Sequence, residues 1–119
     1  QTTAAYEAAA RQHLAAEAPD RARTAALNEA LRGLEKAFLD EKGMAFGAWY
    51  RSLYAAPDPN SGYADWMLPA FQYEASLKST ANLPAIEARY TQAIQNLNDR
   101  IAALTQQLGR AAPVGGARK

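Results

Sequence analysis

The clearest pattern of apolar positions lies at the C-terminal end of the chain. Ile86, Tyr90, Ile94, Leu97, Ile101, Leu104 and Leu108 follow one another in steps of four and three, the spacing that lines up one face of an α-helix. Asn82 stands where a cap is expected, and Pro84 suits a first turn, where its missing N–H is no loss. The pattern predicts a helix of about 26 residues, roughly 39 Å long at 1.5 Å per residue. Gly109 is placed to end it, and residues 110–119, with little apolar surface, are expected to be a disordered tail.

A second helix is predicted from about residue 21 to 39. Leu27, Ala30, Leu31, Leu34, Ala37 and Phe38 share one face there, although Gly33 costs it ~1 kcal/mol relative to alanine. Residues 3–17 form an alanine-rich helix with a thin stripe of Tyr6, Ala10 and Leu14, interrupted at Ala18, Pro19 and Asp20, because proline removes a donor and disfavours helical geometry before it. From Gly43 to Leu68 the period fails. Trp49, Tyr50, Leu53 and Tyr54 predict a short helix over 47–54, closed by the turn-forming run Pro57 to Gly62. Pro69 then opens a helix through Ser79, with Phe71, Ala75 and Leu77 as its inward residues. The expected fold is all-α: a small bundle of about four helices, an aromatic-rich irregular segment and a long C-terminal amphipathic helix, with one domain over residues 1–109.

Composition strengthens the helical reading. Alanine supplies 29 of 119 residues, while Ile86, Ile94, Ile101 and Val114 are the sole β-branched aliphatics, a balance that disfavours strands. Alanine buries little area, so the core must lean on a few large side chains. Eight of the eleven aromatic residues fall between Phe46 and Tyr73, where they either replace missing aliphatic core or form a binding surface. Tyr63, between Gly62 and Ala64 with no helical register to bury it, is the ring most suited to an outward task.

Charge and cysteine content narrow the functions. The formal net charge is +1, and the basic residues are scattered singly, so a nucleic-acid partner is not expected. No apolar run approaches the ~20 residues of a spanning helix, and no direct membrane insertion is expected. With one histidine and no cysteine, the chain offers no evident metal-ligand set and no thiol nucleophile. His13 lacks a sequence-evident orienting partner and reads as a surface or packing residue. Gly43 and Gly47 are too sparse for a phosphate loop. The start at Gln1 has neither an initiator methionine nor a signal-peptide core, and suggests a processed or excised piece. The stripe from Ile86 to Leu108 has two readings, closure of the core or contact with another chain.

One stretch is more specific. Leu34, Glu35, Lys36, Ala37, Phe38, Leu39 and Asp40 are followed by Gly43, the triplet Trp49, Tyr50 and Arg51, the turn Ala56 and Pro57, the pair Tyr63 and Ala64, and Pro69. In this order and spacing the chain resembles the transferrin-receptor-like dimerisation domain, the C-terminal helical domain of glutamate carboxypeptidase-type zinc peptidases and of the transferrin receptor. The resemblance implies a non-catalytic domain that forms a homodimer and follows a peptidase domain of the same longer chain. Zinc belongs to that peptidase domain, and no cofactor is expected here. The resemblance also implies that the aromatic loop reaches a substrate pocket, with Tyr63 as a substrate-binding residue, and that the protein is extracytoplasmic, periplasmic or secreted. In the glutamate-cleaving members a lysine precedes this tyrosine. Here Gly62 stands in its place, and Glu41 and Ala45 replace frequent prolines. The family's first helix has no counterpart at the start of this chain. The alternative reading is a stand-alone helical protein-binding module of adaptor or receptor type.

Overall fold

The computed structural model describes residues 1–15 and 21–109. The expected interruption at Ala18–Asp20 and the expected tail 110–119 lie outside the described residues. The described chain is mostly helical, with four α-helices: α1 (Thr2–Leu14), α2 (Arg21–Arg32), α3 (Pro69–Ser76) and α4 (Leu83–Gly109). A 3-10 helix spans Leu34–Phe38, and a two-stranded antiparallel sheet pairs β1 (Ala55–Pro57) with β2 (Asp65–Met67). The chain divides into two compact units, Gln1–Leu34 with the chain from Asn98 onward, and Glu35–Leu97.

In the first unit, none of α1 is buried. Its half-buried face carries Tyr6, Ala10 and His13, whereas Leu14, expected on the stripe, is 82% exposed. Helix α2 buries Leu27, and the C-terminal part of α4 buries Leu104. Two arginines tie these helices end to end. Arg23 of α2 donates to the Gln107 and Leu108 carbonyls at 2.9 and 2.7 Å, while Arg100 of α4 donates to the Gly33 carbonyl at 2.9 Å. Each guanidinium thus satisfies helix-terminal carbonyls that lack intrahelical partners, at the negative end of the helix dipole. The single helix expected over 21–39 is therefore two: α2 stops at Arg32, the Gly33 N–H is shared between the Glu29 and Ala30 carbonyls, and the chain tightens into the 3-10 turn.

The second unit holds the main core: Met44, Leu53, Ala70, Ile86, Tyr90 and Ala93, with Phe38, Phe46, Tyr50 and Phe71 packed against it. The short helix expected over 47–54 does not form. Leu53 N–H donates to the Phe38 carbonyl at 2.8 Å, and the Arg51 carbonyl accepts from Asp40 N–H at 2.9 Å. Those backbone groups serve an antiparallel bridge between Leu39 and Ser52 instead of a helical ladder, so the rings take non-helical positions. Gly43 is required at its turn: its φ is +67°, and a Cβ would lie 2.2 Å from the Ala48 carbonyl oxygen, a clash on top of left-handed backbone.

Helix α3 is shorter than expected and turned differently. It ends at Ser76 because Lys78 takes a left-handed conformation (φ 52°), Lys78 N–H returns to the Ala75 carbonyl and Ser79 N–H to that of Glu74, which is a Schellman stop. Pro69, Ala70 and Glu74 face inward with half-buried Phe71, while Ala75 and Leu77 are exposed.

Candidate functional site

Along α4 the seven expected stripe residues divide. In the second unit Ile86 and Tyr90 are buried and Leu97 is half-buried, but Ile94 is 52% exposed and Ala93 takes the inward position. In the first unit Leu104 is buried and Ile101 and Leu108 are half-buried. The inward run is thus 86, 90, 93 and 97, and one large aliphatic side chain is left facing solvent in mid-helix. Tyr90 stacks on Phe71 at 4.9 Å between ring centroids. Its hydroxyl is, among the described residues, the buried side-chain polar atom without a hydrogen-bond partner. The Ala70 amide faces it outside bonding geometry, and burial outweighs that amide in pushing the phenol above its ordinary range.

The aromatic segment is organised around Phe46, whose ring lies 5.2 Å from Tyr50, 5.2 Å from Tyr73 and 5.9 Å from Trp66. Phe46 and Tyr50 pack against the core, and half-buried Trp66 and Tyr73 meet Phe46 as edge-on and tilted pairs. Trp49, packed on Tyr50 at 5.5 Å, remains 76% exposed.

Tyr63 stands apart: it is 100% exposed. It sits on the loop 58–64 that joins β1 to β2. Asp58 Oδ1 accepts the Asn60 N–H at 2.8 Å, its Oδ2 accepts the Ser61 hydroxyl at 2.9 Å, and its carbonyl accepts the Gly62 N–H at 2.8 Å. Hydrogen bonds from the Asn60 amide and from Ser61 outweigh desolvation and hold the Asp58 carboxyl below its ordinary range. Gly62, at φ +68°, supplies the left-handed step before Tyr63.

Two further polar residues fix the second unit, and no local pattern announces either. Glu74 is 2% exposed. It accepts the Ser79 hydroxyl at 2.6 Å, the Asn82 N–H at 3.0 Å and the Asn82 side-chain amide at 3.1 Å, bonds that lower its pKa, with Ser79 foremost. Asn82 holds the cap position of α4, its carbonyl accepting the Ile86 N–H, but its side chain serves Glu74. Arg89 donates from Nε to Asp40 Oδ2 and from Nη2 to the Gly43 carbonyl, both at 2.6 Å.

His13 lines an apolar cavity of about 380 Å3 in the first unit with Tyr6, Leu27, Leu31, Thr24 and Asn28, and among the described residues no carboxylate lines it. Among the described residues no group of three His, Cys, Asp or Glu side chains is placed to hold a metal ion, and no helix is long and apolar enough to cross a membrane.

A family model described as the transferrin receptor-like dimerisation domain matches residues 1–112. No curated protein and no solved structure matches the chain.

Proposed function

The chain belongs to the transferrin receptor-like dimerisation domain family, and from that premise we propose that it is the non-catalytic, dimer-forming part of a zinc peptidase of the glutamate carboxypeptidase type. The observation that carries the dimer is Ile94. A large aliphatic side chain half exposed in the middle of α4 forgoes ~1 kcal/mol or more of burial that a second copy can supply. The reading assigns zinc to a peptidase domain that precedes this one in the same longer chain, and the Tyr63 loop to the mouth of a substrate pocket. With Gly62 in the lysine position, the loop offers the Tyr63 hydroxyl without a neighbouring cation, which weakens any preference for an acidic terminal residue.

Sedimentation of the chain and of Ile94→Glu tests the dimer. The expected result is a dimer at micromolar concentration that the variant converts to a monomer of unchanged helical circular dichroism. A wild-type chain that sediments as a monomer, or a variant that stays dimeric, removes Ile94 from the interface. Zinc-dependent hydrolysis by the 119-residue chain alone would contradict the assignment of catalysis to another domain.

A further inference from the structure

We infer that Asp58 is the positioning residue for Tyr63, acting through the loop backbone; the inference rests on the proposed role of the loop at a substrate pocket. A buried ring is aimed by the side chains packed around it. Tyr63 is wholly exposed, so packing does not aim it, and what is fixed is the backbone on which it stands, which sets its Cα–Cβ direction and the few staggered rotamers open to the ring. That backbone converges on Asp58. Its carboxylate takes one donor on each oxygen, from Asn60 N–H and from the Ser61 hydroxyl, and its carbonyl takes the Gly62 N–H. Its own N–H closes the loop by donating to the Ala64 carbonyl at 2.7 Å. Four hydrogen bonds on one residue therefore reach Asn60, Ser61, Gly62 and Ala64, and the Tyr63 N–H donates to the Ser61 hydroxyl at 3.4 Å.

The neighbouring sequence supports the same end. Pro57 and Pro59 bracket Asp58 and restrict the chain on both sides. Pro57 pairs with Asp65 across the base of the loop. Gly62 takes the left-handed backbone needed to bring its N–H back to Asp58, and around it a Cβ would meet nothing within 4 Å. Glycine at this position is therefore a matter of backbone direction and not of space. A ligand that meets Tyr63 meets a ring whose loop is already ordered, and the ordering cost is not charged to binding.

The test uses the intact protein that carries the peptidase domain, with Asp58→Ala, Asp58→Asn, Tyr63→Ala and the double variant Asp58→Ala/Tyr63→Ala, and separates KM from kcat. Asp58→Ala is expected to raise KM about three- to tenfold with kcat within about twofold. Asp58→Asn, which keeps an oxygen for the Asn60 N–H, restores KM most of the way. The double variant is no worse than Tyr63→Ala, because a positioning residue has nothing to add once the positioned ring is gone. A merely structural role would instead lower the melting temperature and the active fraction and leave KM unmoved. If Tyr63→Ala itself leaves KM unchanged, the pocket reading of the loop fails, and this inference with it. If Tyr63→Ala raises KM while Asp58→Ala does not, the pocket reading stands and the positioning role of Asp58 is overturned.

Discussion

Arg89 on α4 clasps Asp40 with Nε 2.6 Å from Oδ2, and the same guanidinium reaches the Gly43 carbonyl at 2.6 Å with Nη2. One side chain thereby fixes both ends of the turn 40–43 against the helix that carries the core residues Ile86, Tyr90 and Ala93. The turn supplies its own complement: Asp40 Oδ1 accepts the Lys42 N–H at 2.8 Å, and Asp40 N–H donates to the Arg51 carbonyl.

Both partners of this pair are about four-fifths buried at the side chain, so removing one leaves a poorly solvated charge behind. Arg89→Ala is expected to cost about 2–4 kcal/mol in a urea or guanidinium titration. Arg89→Lys should recover only part of it, because a single ammonium cannot serve Asp40 and Gly43 in the fixed fork geometry of a guanidinium. Equal stability of Arg89→Ala and the unmodified chain would show that the clasp contributes nothing.

Acid should weaken the fold through the same pair. Partial burial opposes ionisation of Asp40, but the hydrogen bond from Arg89, that from the Lys42 N–H and the two nearby positive charges outweigh it, and its pKa falls below the ordinary 3.8. The unfolded chain then binds this proton at a pH where the folded chain does not. The stabilisation is fully present above pH 3.8 and is lost as pH falls through the folded pKa. Asp58 and Glu74 are shifted in the same direction. Melting temperatures measured between about pH 2.5 and 6 should fall below pH 4, and Asp40→Asn should be less stable at neutral pH and flatter in that acid window. An Asp40→Asn profile parallel to the unmodified one would disconnect Asp40 from the acid transition.

Lys78 offers the opposite sign. It occupies the left-handed residue of the Schellman stop of α3, at φ 52°, and its side chain is exposed, so Lys78→Gly relieves strain without opening a cavity. The gain is expected at about 0.5–1 kcal/mol after the extra freedom of glycine in the unfolded chain is subtracted. That corresponds to a rise of about 3–5 °C in Tm. A fall in Tm would mean that the lysine side chain contributes more than its backbone costs.

The helices were legible because each is a local matter. The step pattern from Ile86 to Leu108 required a long amphipathic helix, Pro69 marked the first turn of α3, and the alanine excess with few β-branched residues left little material for strands. The order of motifs from Leu34 to Pro69 carried the family. Local spacing misplaced the residues whose surroundings come from elsewhere in the chain. Trp49, Tyr50, Leu53 and Tyr54 have helical spacing, yet Arg51 and Leu53 give their backbone groups to Asp40 and Phe38. Leu77 fits an apolar stripe but lies beyond the point where the left-handed Lys78 stops α3.

The long α4, the opening of α3, the composition and the family therefore belong to the sequence by itself, since they rest on propensity, on a 3.6-residue period and on the spacing of motifs. Tertiary structure decided which apolar residues found cover and which polar ones became anchors. Ala93 turned inward and Ile94 outward because the face of α4 that meets the core is set by the elements packed on it, and an offset of one residue is about 100° around a helix. Glu74 and Arg89 became anchors because the chain brought donors or acceptors to them, from eight residues away for Asn82 and from 49 away for Asp40. Partners for such polar groups are supplied by folding, and a linear pattern of residue types carries no term for them.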